Sequence, residues 1–151
     1  MPANNTPIFI STANRGNDGS GNFGTRLTAA NTYRDLATTT NAALLFTAGV
    51  NGSRIETIVF THFNTGLGVY AASIACVGRI YLCTSSLGAN ARLIAEIVLP
   101  AITPTVSVAG QQQSWIPATP LFIPAGSFIW VSMSAAQTTG GYDVTTFGGD
   151  Y

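Results

Sequence analysis

The sequence predicts an all-β protein, an antiparallel β-sandwich or jelly roll with an extended N-terminal arm, and three observations carry that prediction. Apolar residues alternate with period two in successive runs, Gly, Pro and Asn turn signals separate those runs at sandwich-like spacing, and no segment holds the 3.6-residue period of an amphipathic helix. The stretch from Arg79 to Gly126 shows the pattern most clearly. Its strand-like segments are punctuated by Pro100, Pro104, Pro117, Pro120 and Pro124 and carry almost no charge, which reads as a sandwich edge built to pack on neighbours.

Residues 1–25 form the predicted arm or long loop. A short apolar patch, Pro7-Ile8-Phe9-Ile10, precedes the run Asn14 to Gly24, whose Gly and Asn content cannot hold regular structure alone. The sandwich domain spans residues 26–151. Only Thr25 to Leu36 has room for a short helical turn. Strands are then expected at Leu44–Val50, closed by the turn signal Asn51-Gly52, and at Ser53–Phe63, where Ile55, Thr57, Val59 and Thr61 share one face while Arg54 and Glu56 share the other with Ile58, Phe60 and His62. Val69 to Cys83 is a longer apolar run with Arg79–Cys83 as its clearest strand. Arg92–Leu99 follows, with Leu93, Ala95, Ile97 and Leu99 on one face and Arg92 and Glu96 on the other. Thr105–Val108, Gln111–Ile116, the segment Leu121–Gly126 turning into Ser127–Ser134, and Tyr142–Phe147 complete the series. About eight strands result.

Composition limits the function. Only 8% of the 151 residues are charged while 46% are hydrophobic, against roughly 25% charged in an average soluble domain. Six Arg balance six acids, and the chain has no Lys. Interface cores are depleted in Lys and Glu and enriched in Arg and aromatics, so this composition predicts a surface largely covered by partners. Without a basic cluster the phosphate-binding footprint of a nucleic-acid partner is missing, and no run reaches the ~18 apolar residues of a membrane span. The N-terminal residues have neither a basic region nor an apolar one of the signal-peptide kind, so synthesis in the cytoplasm is expected.

No catalytic, cofactor or metal site is expected. His62 is the single histidine, no G-x-S-x-G nucleophile elbow occurs, and two Cys with one His offer no zinc spacing. Cys76 and Cys83 are seven apart in a strand, which sends them to opposite faces roughly 23 Å apart, as free thiols, unless a bend at Gly78 brings them together. Gly16 to Asn22 superficially matches a calcium loop, but a single acid, Asp18, supplies too little charge. Asn4-Asn5-Thr6 and Asn51-Gly52-Ser53 fit the glycosylation acceptor and stay unmodified in a cytoplasmic product. Tyr70, Tyr81, Trp115, Trp130, Tyr142 and Tyr151 read as core and interface packing; a carbohydrate-stacking platform would add clustered polar partners.

The order of motifs carries a resemblance. Asn51-Gly52-Ser53-Arg54-Ile55-Glu56, Arg79-Ile80-Tyr81-Leu82, Glu96 to Pro104, Pro120-Leu121-Phe122-Ile123-Pro124-Ala125-Gly126 and the closing Gly149-Asp150-Tyr151 resemble small tailed-bacteriophage virion proteins, in particular the jelly-roll capsid decoration, or cement, proteins. The resemblance covers residues 35–151. It implies a homodimer or homotrimer on the capsid exterior that bridges neighbouring copies of the major capsid protein. Within that frame Ile8, Phe9, Ile10 and Phe23 are expected to contact neighbouring subunits or capsid, and Trp115 and Tyr151 to pack the oligomer. The alternative is a fibre, spike or tail module that binds a host receptor or glycan through a pocket around Tyr70, Tyr81 and Tyr142.

Overall fold

Ten strands account for all the regular secondary structure in the computed structural model, which describes residues 12–14, 24–65 and 70–151. They are β1 (Thr12–Asn14), β2 (Thr25–Leu27), β3 (Ala42–Thr47), β4 (Ser53–Phe63), β5 (Cys76–Cys83), β6 (Arg92–Leu99), β7 (Gln112–Trp115), β8 (Leu121–Ile123), β9 (Phe128–Met133) and β10 (Gly141–Asp150). One sheet runs β1-β10-β4-β7, with β2 also on β10 and β8 also on β4; the other runs β3-β9-β5-β6. All pairings are antiparallel, and they nest: β2 with β10, β3 with β9, β4 with β7 and β8, β5 with β6. A long hairpin rolled up so that its paired arms alternate between two sheets is a jelly roll, so the predicted fold class is the observed one.

The two sheets close on one core of Leu45, Phe46, Ile55, Ile58, Phe60, Ile80, Leu99, Ile123, Ile129, Val131, Met133, Tyr142 and Val144, all fully buried. Each large aliphatic or aromatic side chain placed there contributes about 1.5–3 kcal/mol relative to exposure. Gly78 shows how tightly the layers meet. A Cβ at that position would stand 2.9 Å from the Phe60 ring, so the absence of a side chain on β5 lets the facing aromatic seat fully.

Bulges correct the simple alternation expected from sequence. On β4, Phe147 pairs with Thr57 but Gly148 pairs with Ile55, which leaves Glu56 as the extra residue of a β-bulge. Ser53 and Ile55 therefore face inward on one side of the bulge, and Ile58, Phe60 and His62 on the other. The mixed face expected for Arg54, Glu56, Ile58 and Phe60 does not exist. On β6 the register shifts between Ala95 and Leu93. Ile97 and Leu99 reach the core as expected, whereas Leu93 sits opposite Tyr81 and is 36% exposed. On β3 the extra residue is Leu45, so Leu45 and Phe46 both enter the core.

Other expectations change for local reasons. Thr105–Val108 is a tight turn, with Thr105 N–H donating to Val108 O at 2.9 Å and Val108 N–H back to Thr105 O at 3.3 Å. Thr25–Leu36 holds no helical turn; it gives β2 and the start of a loop. The last strand continues past Phe147 to Asp150, because Gly148 brings its backbone so close to Arg54 O that a Cβ would lie 2.0 Å from it. The stretch from Arg79 to Gly126 is edge only in part: β6, β7 and β8 are edges, and β5 lies inside its sheet. The β1-β10-β4-β7 sheet has both edges interrupted, between β1 and β2 and between β7 and β8, where Pro117 and Pro120 lie. Broken, proline-marked edges resist indiscriminate strand addition.

Candidate binding surface

The outer faces of the two sheets are finished differently. Over β3-β9-β5-β6 lies a loop, residues 30–41, whose neck is tied by two asparagines. Asn31 Nδ2 donates to Thr38 O and Thr40 O, each at 2.8 Å, its Oδ1 accepts from Tyr33 N–H, and Asn41 Nδ2 donates to Ala30 O. The sheet holds the loop through Arg79 Nη1 donating to Asn31 O at 3.0 Å and Tyr81 OH donating to Tyr33 O at 3.0 Å. Arg34 and Arg79 converge on Glu96, at 2.6 and 3.1 Å. The Arg34 hydrogen bond, with help from Arg79, holds the Glu96 carboxyl below its usual range. Beneath the loop Leu36, Tyr81, Cys83 and Trp130 form a second apolar cluster.

Among the described residues no segment covers the outer face of β10-β4-β7/β8. Side chains at its two ends are aromatic and arginine. Phe122, opposite Arg54 on β4, is 55% exposed and stacks at 5.9 Å on the Tyr151 ring. Phe147 on β10 is 46% exposed. Arg54 pairs with Glu56 at 3.2 Å, and its buried Nε has no partner. At the far end Arg26 stacks 4.1 Å over Phe63 and pairs with Asp143 at 2.8 Å. Between lie Thr57, Val59, Thr61, Gln112, Ser114 and Thr145, a flat neutral stripe.

The structure separates the residues that the sequence offered for contacts. Ile8, Phe9, Ile10 and Phe23 lie outside the described residues, as do the calcium-like loop Gly16–Asn22 and Asn4. Backbone of β1, within the predicted arm, pairs with Gly148–Asp150. Tyr151 is half-buried on the open face, its N–H donating to Gly52 O and its carbonyl accepting from Asn51 Nδ2. Trp115 pairs with Ile58 across the strands and packs inward on the main core, so only its rim is accessible. Phe122, Phe147 and Arg54 went unmarked in the sequence. Leu121-Phe122-Ile123 did carry a signal, because three consecutive apolar residues in a strand force the middle one away from the core.

Tyr81 and Tyr142 are fully buried on different layers, so no aromatic pocket joins them to Tyr70. Cys76 lies in the inter-sheet core and Cys83 in the loop-covered cluster, both as free thiols, on opposite faces as parity required. Burial pushes the Cys83 thiol up to about 11 and raises Cys76 as well. His62 faces inward, edge-on to Tyr142 at 5.4 Å, and burial lowers its pKa. Tyr142 OH donates to Gln111 Oε1 at 3.0 Å, and its own pKa is pushed up to about 12, mainly by burial. Among the described residues no three His, Cys, Asp or Glu side chains gather as metal ligands.

Compared with known proteins, the chain matches no family model and has no significant sequence match among curated proteins.

Proposed function

We propose that this is a structural virion protein, a capsid decoration or cement protein that assembles as a homodimer or homotrimer and bridges neighbouring major capsid proteins on the shell exterior. The observation that carries the reading is the asymmetry of the sandwich: one outer sheet face is covered by its own loop over β5 and β9, with Val98 left exposed on β6, and the other presents Phe122, Phe147, Tyr151 and Arg54 around a neutral hydroxyl-rich stripe. Aromatic and Arg side chains on a Lys-free surface are the residue types that dominate stable protein interfaces. Arg26, Arg34, Arg54 and Arg79 are each engaged in an ion pair within the chain, which leaves little long-range field to attract nucleic acid.

The mechanism is mechanical. A protein that binds only the assembled lattice stabilises that lattice by mass action, and many copies multiply a modest contact energy through avidity. The test is co-sedimentation of the purified protein with mature capsid shells stripped of it. Saturation at a fixed copy number per shell supports the reading, and a folded protein that leaves the shells bare defeats it. Removing residues 1–11, which precede β1, should weaken attachment without lowering the thermal midpoint if the arm reaches a neighbour.

A further inference from the structure

A groove of about 600 Å³ opens where the tied loop meets the β5–β6 turn, between Asp35, Thr38 and Thr39 on one wall and Leu87, Gly88 and Asn90 on the other. We propose that it is a binding site for a small neutral polyhydroxylated ligand, a saccharide of one or two rings, distinct from the open sheet face. Its volume lies in the range of small-molecule sites.

The groove is preformed. Gly88 packs so closely on the opposite wall that a Cβ there would lie 2.5 Å from Thr39 Cγ2, and the neck of the loop is fixed by Asn31 and Asn41. Three lining residues hold left-handed backbone, Leu36 at φ 55°, Gly88 at φ 79° and Asn90 at φ 55°. For a leucine that conformation costs on the order of 1–2 kcal/mol, and strain of this kind concentrates at binding sites.

Trp130 backs the groove without lining it: it is 9% exposed, and its Cε2 lies 3.8 Å from where a Gly88 Cβ would stand, close enough for its fluorescence to report on that wall. The walls select the ligand's chemistry. Asp35 is the only charged lining side chain, so anions are repelled, and the mostly polar lining gives an apolar molecule little to bury against. Sugar hydroxyls supply donors for the Asp35 carboxylate and the Asn90 amide oxygen and acceptors for N–H groups.

The chain has two tryptophans, so Trp115→Phe leaves Trp130 as the sole fluorescent reporter. Methyl glycosides of glucose, galactose, mannose and N-acetylglucosamine are titrated against it, with saturation-transfer NMR on the unaltered protein as the parallel measurement. The expected result is saturable millimolar binding of at least one glycoside. Asp35→Asn and Asn90→Gly, which preserve the backbone geometry, should each weaken it about tenfold, the size of one lost charge-assisted or buried hydrogen bond. Absence of saturable binding by all four glycosides, undiminished binding in both folded variants, or occupation of the groove by a peptide instead overturns the proposal.

Discussion

The two outer faces of this sandwich use similar residues for opposite ends. On β3-β9-β5-β6 the aromatic side chains Tyr81 and Trp130 are covered by residues 30–41 and joined by Arg79 to that loop; on β10-β4-β7/β8 the aromatic side chains Phe122 and Phe147 stay open to contact. The difference lies in the connection, not in the composition of the strands. A twelve-residue loop pinned by Asn31 folds back over one face, and none of the described residues does so over the other. A protein poor in charge thus covers the aromatic part of one face itself and keeps the aromatic side chains of the other for a partner.

The largest expected effect tests that contrast directly. Trp130→Ala, on the covered face, should destabilise by about 3–5 kcal/mol, whereas Phe147→Ala, on the open face, should stay within about 0.5 kcal/mol. Urea unfolding midpoints measure both, and equal losses would abolish the distinction. Asn31→Ala comes next. It removes three hydrogen bonds at a position 2% exposed, so about 2–3 kcal/mol should be lost, and amide exchange should accelerate across residues 30–41 before it does in β4.

Mild acid should act first through the inter-sheet layer, and stronger acid through the covered face. Burial depresses His62 below the ordinary 6.5, so the unfolded chain binds a proton that the native state refuses. Stability present above pH 6.5 is therefore lost as pH falls from there toward the lower folded value. The thermal midpoint should drop over that window and be flat there in His62→Gln, with the single imidazole signal in NMR giving the folded pKa. Glu96, held below its usual range chiefly by Arg34, acts in a separate and more acidic window, near and below pH 4.5. A drop that persists in His62→Gln would move the cause elsewhere. The smallest effect concerns the thiols. Cys83, raised to about 11, and Cys76 should resist alkylation at neutral pH in the native state and react on unfolding.

Much of the fold was legible because strands announce themselves locally. Period-two alternation and Gly/Pro turn signals placed β4, β6, β7, β8 and β9 to within a few residues, and seven-residue spacing put Cys76 and Cys83 on opposite faces. Bulges were not legible. Glu56, Leu45 and the register shift near Leu93 are settled by how two sheets twist and meet, which no single strand encodes. The covering loop was equally hidden, since its fold depends on Asn31 and Arg79, 48 residues apart. The open face could be read only in part: Tyr151 was marked, whereas Phe122 and Phe147 become outward residues once the parity of β8 and β10 is known.

The measurement closest to the central claim is binding of three forms to stripped capsid shells: the unaltered protein, the double variant Phe122→Ser with Phe147→Ser, and Val98→Ser, a more exposed apolar site on the other sheet. The account predicts saturation at a fixed copy number for the first and third and at least tenfold weaker attachment for the double variant. Undiminished binding of the double variant, or none by the unaltered protein, contradicts it.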